Sequence, residues 1–454
     1  MEIPARAGGK NEKNSEGLLK WWQLSLIGVG CTIGTGYFLG SGIGISKTGP
    51  SIIIPFILAG ITAMIVSEQL GKMFIQDPQK GSFRSYTKKA FGRWAGFSSG
   101  WVYWFSEMLI SGSQLTALSI LTRFWFPNIP LWILASVYAV LGIIVVLIGT
   151  KGFEKTENLF AVMKVAAIFM FIILAILVLF GFFGGSRDDF SVPNTANEFF
   201  AEGIIGLWSS LIFGFYAFGG IEIMGILSVR LQKKKEVIKS TTVMLIILTS
   251  IYLISIILAS GLVAYDQFNA QESPFVISLA EYNLAFFPYV FNAGVVIAGF
   301  STMAASLFAV TSMLVTMAEE GDAPKVFAKK SKLKVPPFAL ALTIAVLVIS
   351  IIISRIVPDR VYEYITTAAG LMLIYNWFFI LISFPRLIQA TKFDHVKRFF
   401  AMLLILLAVS GTFVDKTNRM GFFVSVVFIA IVIIVILFMR KRKNKNINEY
   451  PRSI

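Results

Sequence analysis

The chain contains one cysteine, one histidine and few charged residues among its 454. Cys31 alone cannot form a disulfide within the chain, and His395 alone predicts no dedicated metal site, because such sites combine several ligands. Charged residues make up 14% of the sequence and hydrophobic residues 56%, which excludes a water-soluble protein with a single core of this size. The sequence also contains no nucleophile paired with a base, and no cluster of metal ligands, within its long apolar stretches. We therefore expect neither an enzyme nor a bound cofactor.

Long apolar stretches follow one another along most of the chain. A helix needs roughly 20 apolar residues to cross a hydrocarbon core of about 30 Å. Twelve such stretches lie near residues 21–45, 51–71, 97–121, 131–149, 158–183, 203–227, 241–264, 286–317, 338–356, 361–384, 399–414 and 420–439. The sequence therefore predicts an all-α integral membrane protein with twelve transmembrane helices. Residues 1–20 are polar, and we expect them to form an N-terminal segment without a cleavable signal peptide.

The net charge of +15 would also fit a protein that binds nucleic acid. Most of the 40 lysines and arginines, however, fall in the two terminal segments and in alternate loops between the predicted helices. This asymmetry predicts that both termini, including the basic tail 441–454, are cytoplasmic. Tracts such as Lys233–Lys235 and Arg440–Lys443 then lie beside helix ends, where they meet anionic headgroups. We therefore expect the lipid bilayer, and no nucleic acid, to be the partner of these charges.

Glycines interrupt two of the predicted helices. The first interruption is Gly28–Gly36 in span one, and the second is Phe213–Glu222 in span six. Unpaired backbone groups cannot face lipid, so such breaks occur where they line a cavity or hold a solute. Each break opens a block of five spans, which predicts an inverted repeat with discontinuous helices one and six. The two halves are residues 21–195 and 196–390, followed by two peripheral helices in residues 391–440.

The first break presents backbone donors. We expect one helix to end before Gly34 and the next to begin near Phe38, which leaves the N–H groups of Gly34, Thr35 and Gly36 without helical partners. Backbone N–H groups at a helix N-terminus suit a carboxylate. An alternative is that the glycines allow close helix packing, and we assign that role to Gly40 and Gly44 in the ladder that Gly36 begins.

The second break presents backbone acceptors and aromatic rings. Carbonyl groups near Tyr216 and Gly219 could hold an ammonium group, and Phe215, Tyr216 and Phe218 could form an aromatic wall. Together the two breaks predict a binding site for a zwitterion. The alternative for each ring is that it is ordinary bulk facing the lipid.

Four ionisable residues fall inside predicted spans, where charge is costly and usually functional. They are Glu68, Glu107, Lys164 and Glu222. Glu222, Lys164 and Glu107 are candidates for proton coupling, because a carboxyl or amine held at depth can exchange a proton during transport. Glu68 is near enough to the cytoplasmic interface to reach it by snorkelling.

At these residues the sequence resembles the amino-acid permeases of the amino acid, polyamine and organocation superfamily, most closely its amino acid transporter family. The resemblance extends from about Leu24 to Pro385. It is carried by the order and spacing of Gly34-Thr-Gly-Tyr-Phe38, Asp77-Pro-Gln-Lys-Gly-Ser-Phe83, Gly100-Trp-Val-Tyr-Trp104, Lys164-Val, Phe218-Gly-Gly-Ile-Glu222, Gly321-Asp-Ala-Pro-Lys325 and Ala369-Gly-Leu. It implies five plus five inverted spans with two more appended, and import of an L-amino acid with protons across a bacterial cell membrane.

The resemblance also implies roles for individual residues. The substrate carboxylate would meet the N–H groups of Gly34, Thr35 and Gly36, and its amine would meet the carbonyls of Thr32, Tyr216 and Gly219. Tyr216 or Phe218 would be the aromatic gate, and Glu222 would respond to protonation. Lys164 would lie where sodium-driven relatives bind a cation, which argues against sodium because two positive charges would share one pocket. Its hydroxyl neighbours would be Ser301 and Thr302.

Three positions depart from the family pattern. Gln114 stands where many members have an acidic residue, Ser228-Val-Arg230 replaces a common small-Gly-Glu segment, and Lys72 replaces a frequent glutamate. Glu107 lies two helical turns before Gln114, on roughly the same face, and could replace the missing acid. The loss of acidic groups favours a neutral amino acid as the substrate, with apolar ones among the candidates. An exchanger, a carrier of polyamines or other amines, and a receptor that binds without transport remain alternatives, and no oligomeric state is predicted.

Overall fold

The computed structural model describes residues 18–148, 150–329, 335–356 and 361–449. These residues form helices and no β-strand, apart from an isolated bridge between Leu19 and Leu231. The helices are α1 Trp21–Thr32, α2 Thr35–Phe38, α3 Gly40–Thr48, α4 Ile53–Gln76, α5 Ser82–Phe91, α6 Arg93–Thr122, α7 Leu131–Ile148, α8 Thr150–Leu179, α9 Ala196–Phe199, α10 Gly203–Ala217, α11 Ile221–Leu227, α12 Val237–Leu262, α13 Pro274–Ser278, α14 Phe287–Glu319, α15 Pro337–Ile356, α16 Val361–Leu387, α17 Lys392–Gly411 and α18 Lys416–Glu449. Residues 1–17 of the predicted N-terminal segment and the last five residues of the tail lie outside the described residues.

Nine segments of the described chain are long and apolar enough to cross a membrane. They are Thr35–Gln76, Leu131–Ile148, Leu159–Leu179, Ala196–Arg230, Lys234–Leu262, Phe287–Glu319, Pro337–Ile356, Tyr362–Leu387 and Lys416–Phe438. Three other predicted spans coincide with helices outside these nine, namely α1, α6 and α17. Helix α1 is short, α6 is rich in serine and threonine, and α17 begins with charged residues. The protein is therefore an all-helical, multi-pass membrane protein.

The glycines of the first span do not form the packing ladder that we predicted. A Cβ on Gly44 would lie 2.6 Å from the Ile52 side chain, so Gly44 does allow close packing. Nothing lies within 4 Å of the Cβ position at Gly40, so the packing role predicted for Gly40 is wrong. The physical reason is a second interruption at Leu39, which separates α2 from α3. Gly40 and Gly44 therefore lie in a different helix from Gly36.

Helix α6 is the centre of the packing around both breaks. It packs along α14 on one side and α16 on another, and α1 in turn packs against α8, α12 and α14. Helix α10 packs against α3, α4 and α16. Both breaks are therefore enclosed by long helices, and every described residue from Val29 to Ile45 is buried.

Helices α17 and α18 are fastened to the other helices near both ends. At one end the ammonium of Lys72 lies 2.6 Å from a carboxylate oxygen of Asp394. At the other end the ammonium of Lys47 lies 2.9 Å from Asp415, in the turn between α17 and α18. Between them the indole N–H of Trp208 donates to the carbonyl of Leu407 at 2.8 Å. The outer face of α18 is largely exposed, as expected for a helix at the periphery of the bundle.

A buried ion-pair network joins α5 to the turn after α14. The Arg84 guanidinium is fully buried and bonds the carboxylate of Asp322, which is also buried. Glu320 lies 2.9 Å from both Arg84 and Lys88, and Arg93 donates to Asp322 at 2.8 Å. These contacts connect two of the motifs that carry the family resemblance, because Asp77–Phe83 leads into α5 and Gly321–Lys325 follows α14.

Candidate functional site

The first predicted break is present in the structure. Helix α1 ends at Thr32, Ile33 and Gly34 are extended, and α2 begins at Thr35. We expected the second half to begin near Phe38, and this is wrong by one turn. The N–H groups of Tyr37 and Phe38 both donate to the carbonyl of Gly34, at 3.0 and 3.2 Å, which closes a helical turn that starts at Thr35.

The three predicted donors of the first break are not equivalent. Thr35 is already bound, because its N–H and its hydroxyl both donate to Oε1 of Gln114, at 3.3 and 2.7 Å. The N–H groups of Gly34 and Gly36 donate to no acceptor among the described residues. Two of the three donors are thus available to a ligand. Gln114 was noted in the sequence only as a departure from the family, and its neutral amide is what holds Thr35.

Polar side chains from three other helices bind the carbonyl groups that the break exposes. In a continuous helix the carbonyl of Gly30 would accept the N–H of Gly34. Here it accepts from the Lys164 ammonium of α8, which also donates to the Thr302 hydroxyl at 3.2 Å.

The carbonyl of Ile33 accepts from the Thr302 hydroxyl at 2.8 Å, and the carbonyl of Thr35 accepts from the Tyr362 hydroxyl of α16 at 2.8 Å. The resemblance was therefore correct in placing Thr302 beside Lys164. Tyr362 was not singled out, and no pattern in the sequence points to it.

The second predicted break is also present. Helix α10 ends at Ala217 and α11 begins at Ile221, and Gly220 between them has φ +107°. The carboxylate of Glu222 accepts from the N–H of Gly220 at 3.1 Å and from the indole N–H of Trp377 on α16. Glu222 therefore fixes the shape of the turn that it follows. Trp377 is fully buried and was not recognised in the sequence.

The two breaks touch each other at glycine positions. A Cβ on Gly220 would lie 2.8 Å from the carbonyl oxygen of Cys31, and a Cβ on Gly36 would lie 2.6 Å from Cε1 of Tyr216. Both distances are shorter than real Cβ contacts, so each glycine is required for close approach of the two segments. The Tyr216 hydroxyl is in turn bonded to Ser113 of α6 at 2.6 Å.

The three aromatic residues of the second break point in different directions. The ring of Phe215 lies 6.0 Å from Trp377 of α16, and the ring of Phe218 lies 5.5 Å from Tyr252 of α12 in an edge-on contact. Only Tyr216 lies against Gly36. All three are buried, so none of them is bulk facing the lipid.

The predicted acceptors for an amine also differ. The carbonyls of Thr32 and Gly219 accept no hydrogen bond within the described ranges, whereas the carbonyl of Tyr216 accepts from the Gly219 N–H at 3.0 Å. Gly219 is the one partly exposed residue among the eight predicted substrate contacts. The hydroxyl of Thr32 donates within its own helix, to Gly28 at 2.8 Å.

The two remaining acidic candidates, Glu107 and Glu68, lie in different parts of the structure. Glu107 is 1% exposed, and it lies near Tyr103 of its own helix and Ser306 of α14. It is close enough to Glu222 and Tyr216 to act on them electrostatically. Glu68 lies elsewhere, paired with Lys72 at 2.8 Å and with Lys397 at 2.7 Å. The part of the chain that the structure describes contains no cluster of three or more potential metal ligands among His, Cys, Asp and Glu.

Comparison with known proteins identifies the family of this chain. The amino acid permease family model matches residues 23–448. The chain is 55% identical over 416 residues to the uncharacterized transporter YcgH of Bacillus subtilis, which covers 92% of this chain and 93% of that protein. It is 35% identical over 384 residues to the aromatic amino acid transport protein AroP of Corynebacterium glutamicum, covering 82% of each. It is 30% identical over 421 residues to AroP of Escherichia coli K12, covering 91% and 92%. The chain therefore belongs to the amino acid permease family and is a membrane transporter rather than an enzyme.

Proposed function

We propose that this protein imports a neutral L-amino acid together with protons, and that the substrate binds between the two breaks. The observation that carries the proposal is that both breaks have unused backbone groups and that the breaks touch at Gly36 and Gly220. The first break contributes the N–H groups of Gly34 and Gly36 and the carbonyl of Thr32, and the second contributes the carbonyl of Gly219. Donors suit the carboxylate of a zwitterion and acceptors suit its ammonium group.

A neutral substrate fits the side chains around this site. Gln114 binds Thr35 through an uncharged amide, at the position where an acidic residue would attract a cation. Two relatives at 30–35% identity are named aromatic amino acid transport proteins, which favours an aromatic substrate within the neutral class. Tyr216 is the gate in this proposal, because its ring lies on Gly36 and must move when a ligand reaches the Gly36 N–H.

Lys164 couples the proton to the movement. Its ammonium links α8 to the end of α1 through the Gly30 carbonyl, and to α14 through Thr302. Loss of its proton removes charge-assisted hydrogen bonds and weakens the link between α1 and its neighbours. Glu222 and Glu107 are the other two groups that take part in proton exchange, since both are buried near the same site.

The conformational change is a rocking motion that exposes the site to each side in turn. Helices α1–α4 and α10–α12 move against α6, α7, α14 and α15, with the substrate near the bilayer midplane. The nine apolar segments, together with α1, α6 and α17, account for the twelve spans, and the two blocks of five are related as inverted repeats. Both termini lie in the cytoplasm. The matched positions of the two broken helices support this arrangement.

Uptake by purified protein in liposomes tests the proposal. We expect accumulation of a labelled neutral amino acid under an inward proton gradient, with collapse of the gradient by a protonophore abolishing accumulation. Sodium should have no effect. Binding without flux would identify a receptor, and one-for-one exchange that needs no gradient would identify an exchanger; either result contradicts proton symport.

A further inference from the structure

A cavity of about 400 Å³ opens between α6, α18 and the turn Gly321–Pro324, and none of its lining residues belongs to either break. Apolar side chains of the two helices form its walls. They are Phe97, Trp101 and Phe105 on α6, and Ile431, Val432 and Val435 on α18. Beyond Phe105, the cavity ends where the rings of Phe105 and Phe428 lie 4.3 Å apart. We call this cavity the α6–α18 groove.

The α6–α18 groove borders the lipid, because Ile431 and Val435 are 44% and 39% exposed on a helix at the edge of the bundle. From Phe97 to Phe105 it follows α6 for eight residues, about 12 Å. A helix about 10 Å across occupies roughly 900 Å³ over that length, more than twice the volume of the groove. The groove therefore fits a hydrocarbon chain and is too narrow for a helix of a partner protein.

An arginine lies at the open end of the groove. Arg93 precedes Phe97 by four residues, so the two share one face of α6. Its side chain is 56% exposed and donates to Asp322 at 2.8 Å and to the carbonyl of Gly321. Described residues thus use two of its five donors, and a guanidinium binds phosphate well. The neighbouring Trp94 is 52% exposed, as expected for an indole at the level of the lipid headgroups.

The charge around this end of the groove is positive. Arg84, Lys88 and Arg93 surround two carboxylates, Glu320 and Asp322, which leaves one positive charge in excess. The basic tract Arg440–Lys443 begins five residues after Val435 on α18, a rise of about 8 Å. Each basic residue near the membrane surface raises the affinity for anionic lipid about five-fold.

We propose that the α6–α18 groove binds one phospholipid with an anionic headgroup. An acyl chain lies along Phe97, Trp101 and Phe105, and the phosphate binds Arg93. The surrounding lipid is as apolar as the groove, so hydrophobic burial supplies no preference; shape and the charged headgroup supply it. The bound lipid also stabilises the turn Gly321–Pro324, which Asp322 ties to Arg84 of α5.

The test measures lipid binding to the purified full chain through its thermal unfolding midpoint in detergent. Phosphatidylglycerol and phosphatidylcholine with identical acyl chains are titrated separately, because a ligand that binds only the folded state raises the midpoint. We expect half of the maximal rise at about 5- to 30-fold lower concentration for phosphatidylglycerol, the effect of one or two basic residues. Inorganic phosphate alone should give no rise, since it lacks the chain that occupies the groove.

Two tryptophan variants separate the groove from the rest of the lipid-facing surface. Val435→Trp fills the groove and should lose the rise given by phosphatidylglycerol. Ile434→Trp is its matched control, because Ile434 is 51% exposed at the same depth and does not line the groove; it should keep the rise. Arg93→Gln should reduce the advantage of phosphatidylglycerol about five-fold, and comparing two lipids on this one variant cancels any loss of its own stability.

Four results would overturn the lipid site. They are equal responses of the wild type to the two lipids, a rise that survives in Val435→Trp, a rise given by inorganic phosphate alone, and a dimer in detergent that Val435→Trp dissociates. The last result would show that a second copy of the chain covers the groove. Since amino-acid uptake is not measured, each of these results leaves the proposed function intact.

Discussion

Replacement of Gly36 by alanine should damage transport far more than it damages folding. The added Cβ would lie 2.6 and 2.7 Å from Cε1 and Cδ1 of Tyr216, so the ring must move by several tenths of an ångström. The ring is held by the bond between its hydroxyl and Ser113, at 2.6 Å, so movement weakens that bond as well. Overpacking of this kind costs about 1–3 kcal/mol. Because Gly36 lies within α2, alanine returns about 1 kcal/mol of helix propensity.

The net loss of stability is therefore about 2 kcal/mol or less, which a folded membrane protein of this size tolerates. Transport should be more sensitive to this contact than stability is, because the Gly36 N–H and the Tyr216 ring both border the proposed site. A misplacement of about 1 Å in a positioning group costs up to about 100-fold in rate, so we expect a 10- to 100-fold loss in the ratio of maximal uptake rate to KM. The measurements are initial uptake in proteoliposomes and the thermal unfolding midpoint of the same preparations.

Gly40→Ala is the matched control, since Gly40 begins α3 one turn later and nothing lies within 4 Å of its Cβ position. This variant should be as stable as the wild type, or slightly more stable, and should transport normally. The reasoning is refuted if Gly36→Ala and Gly40→Ala transport equally well. It is also refuted if Gly36→Ala loses uptake only in proportion to a loss of folded protein.

Three other perturbations have defined outcomes. Lys164→Ala should leave a folded protein that binds substrate but no longer accumulates it, measured as binding against gradient-driven uptake; wild-type accumulation would remove the lysine from the mechanism. Asp322→Asn should lower the thermal unfolding midpoint strongly, because it leaves the fully buried Arg84 short of a partner, a change that costs about 3–5 kcal/mol; a loss below about 1 kcal/mol would contradict this. Burial raises the pKa of Asp415, but the hydrogen bond from Lys47 and two backbone N–H groups outweigh it and hold the pKa below its usual range. The stability from this pair is present above the unfolded pKa of about 3.9 and is lost as pH falls through the lower folded pKa, so Asp415→Asn should change the unfolding midpoint equally at pH 5 and pH 8. A mutational effect that shrinks between pH 8 and pH 5 would contradict the assignment.

The interactions of Gln114 and Trp377 show how side chains of two long helices hold the two breaks. Gln114 provides an acceptor for Thr35 without adding charge to the site. Trp377 holds Glu222 in the turn of the second break. Both interactions join a break to a long helix that does not belong to it. The broken segments are therefore held by α6 and α16 rather than by their own neighbours in sequence.

The sequence by itself determined the class of the protein, the approximate places of its long helices and the position of both breaks. Apolar length, basic loops and glycine content are local properties, and the energetic demands of a bilayer translate them directly into helices. The resemblance also identified the family correctly and placed Lys164 beside Thr302. Two local predictions were wrong. Hydrogen bonds to the Gly34 carbonyl start α2 at Thr35 rather than near Phe38, and the interruption at Leu39 places Gly40 in a separate helix from Gly36.

Only the tertiary structure decided which groups meet. It placed the ring of Tyr216 against Gly36, rather than the ring of Phe215 or Phe218. It also paired the N–H and hydroxyl of Thr35 with Gln114, so that neither is left for a ligand. It also brought Ile110, Tyr216 and Ala369, from three different helices, into one apolar cluster apart from the main core. These partners are far apart along the chain, and their contact depends on the rotation and separation of packed helices. No local pattern encodes those quantities, because they follow from how all the helices fill the interior together.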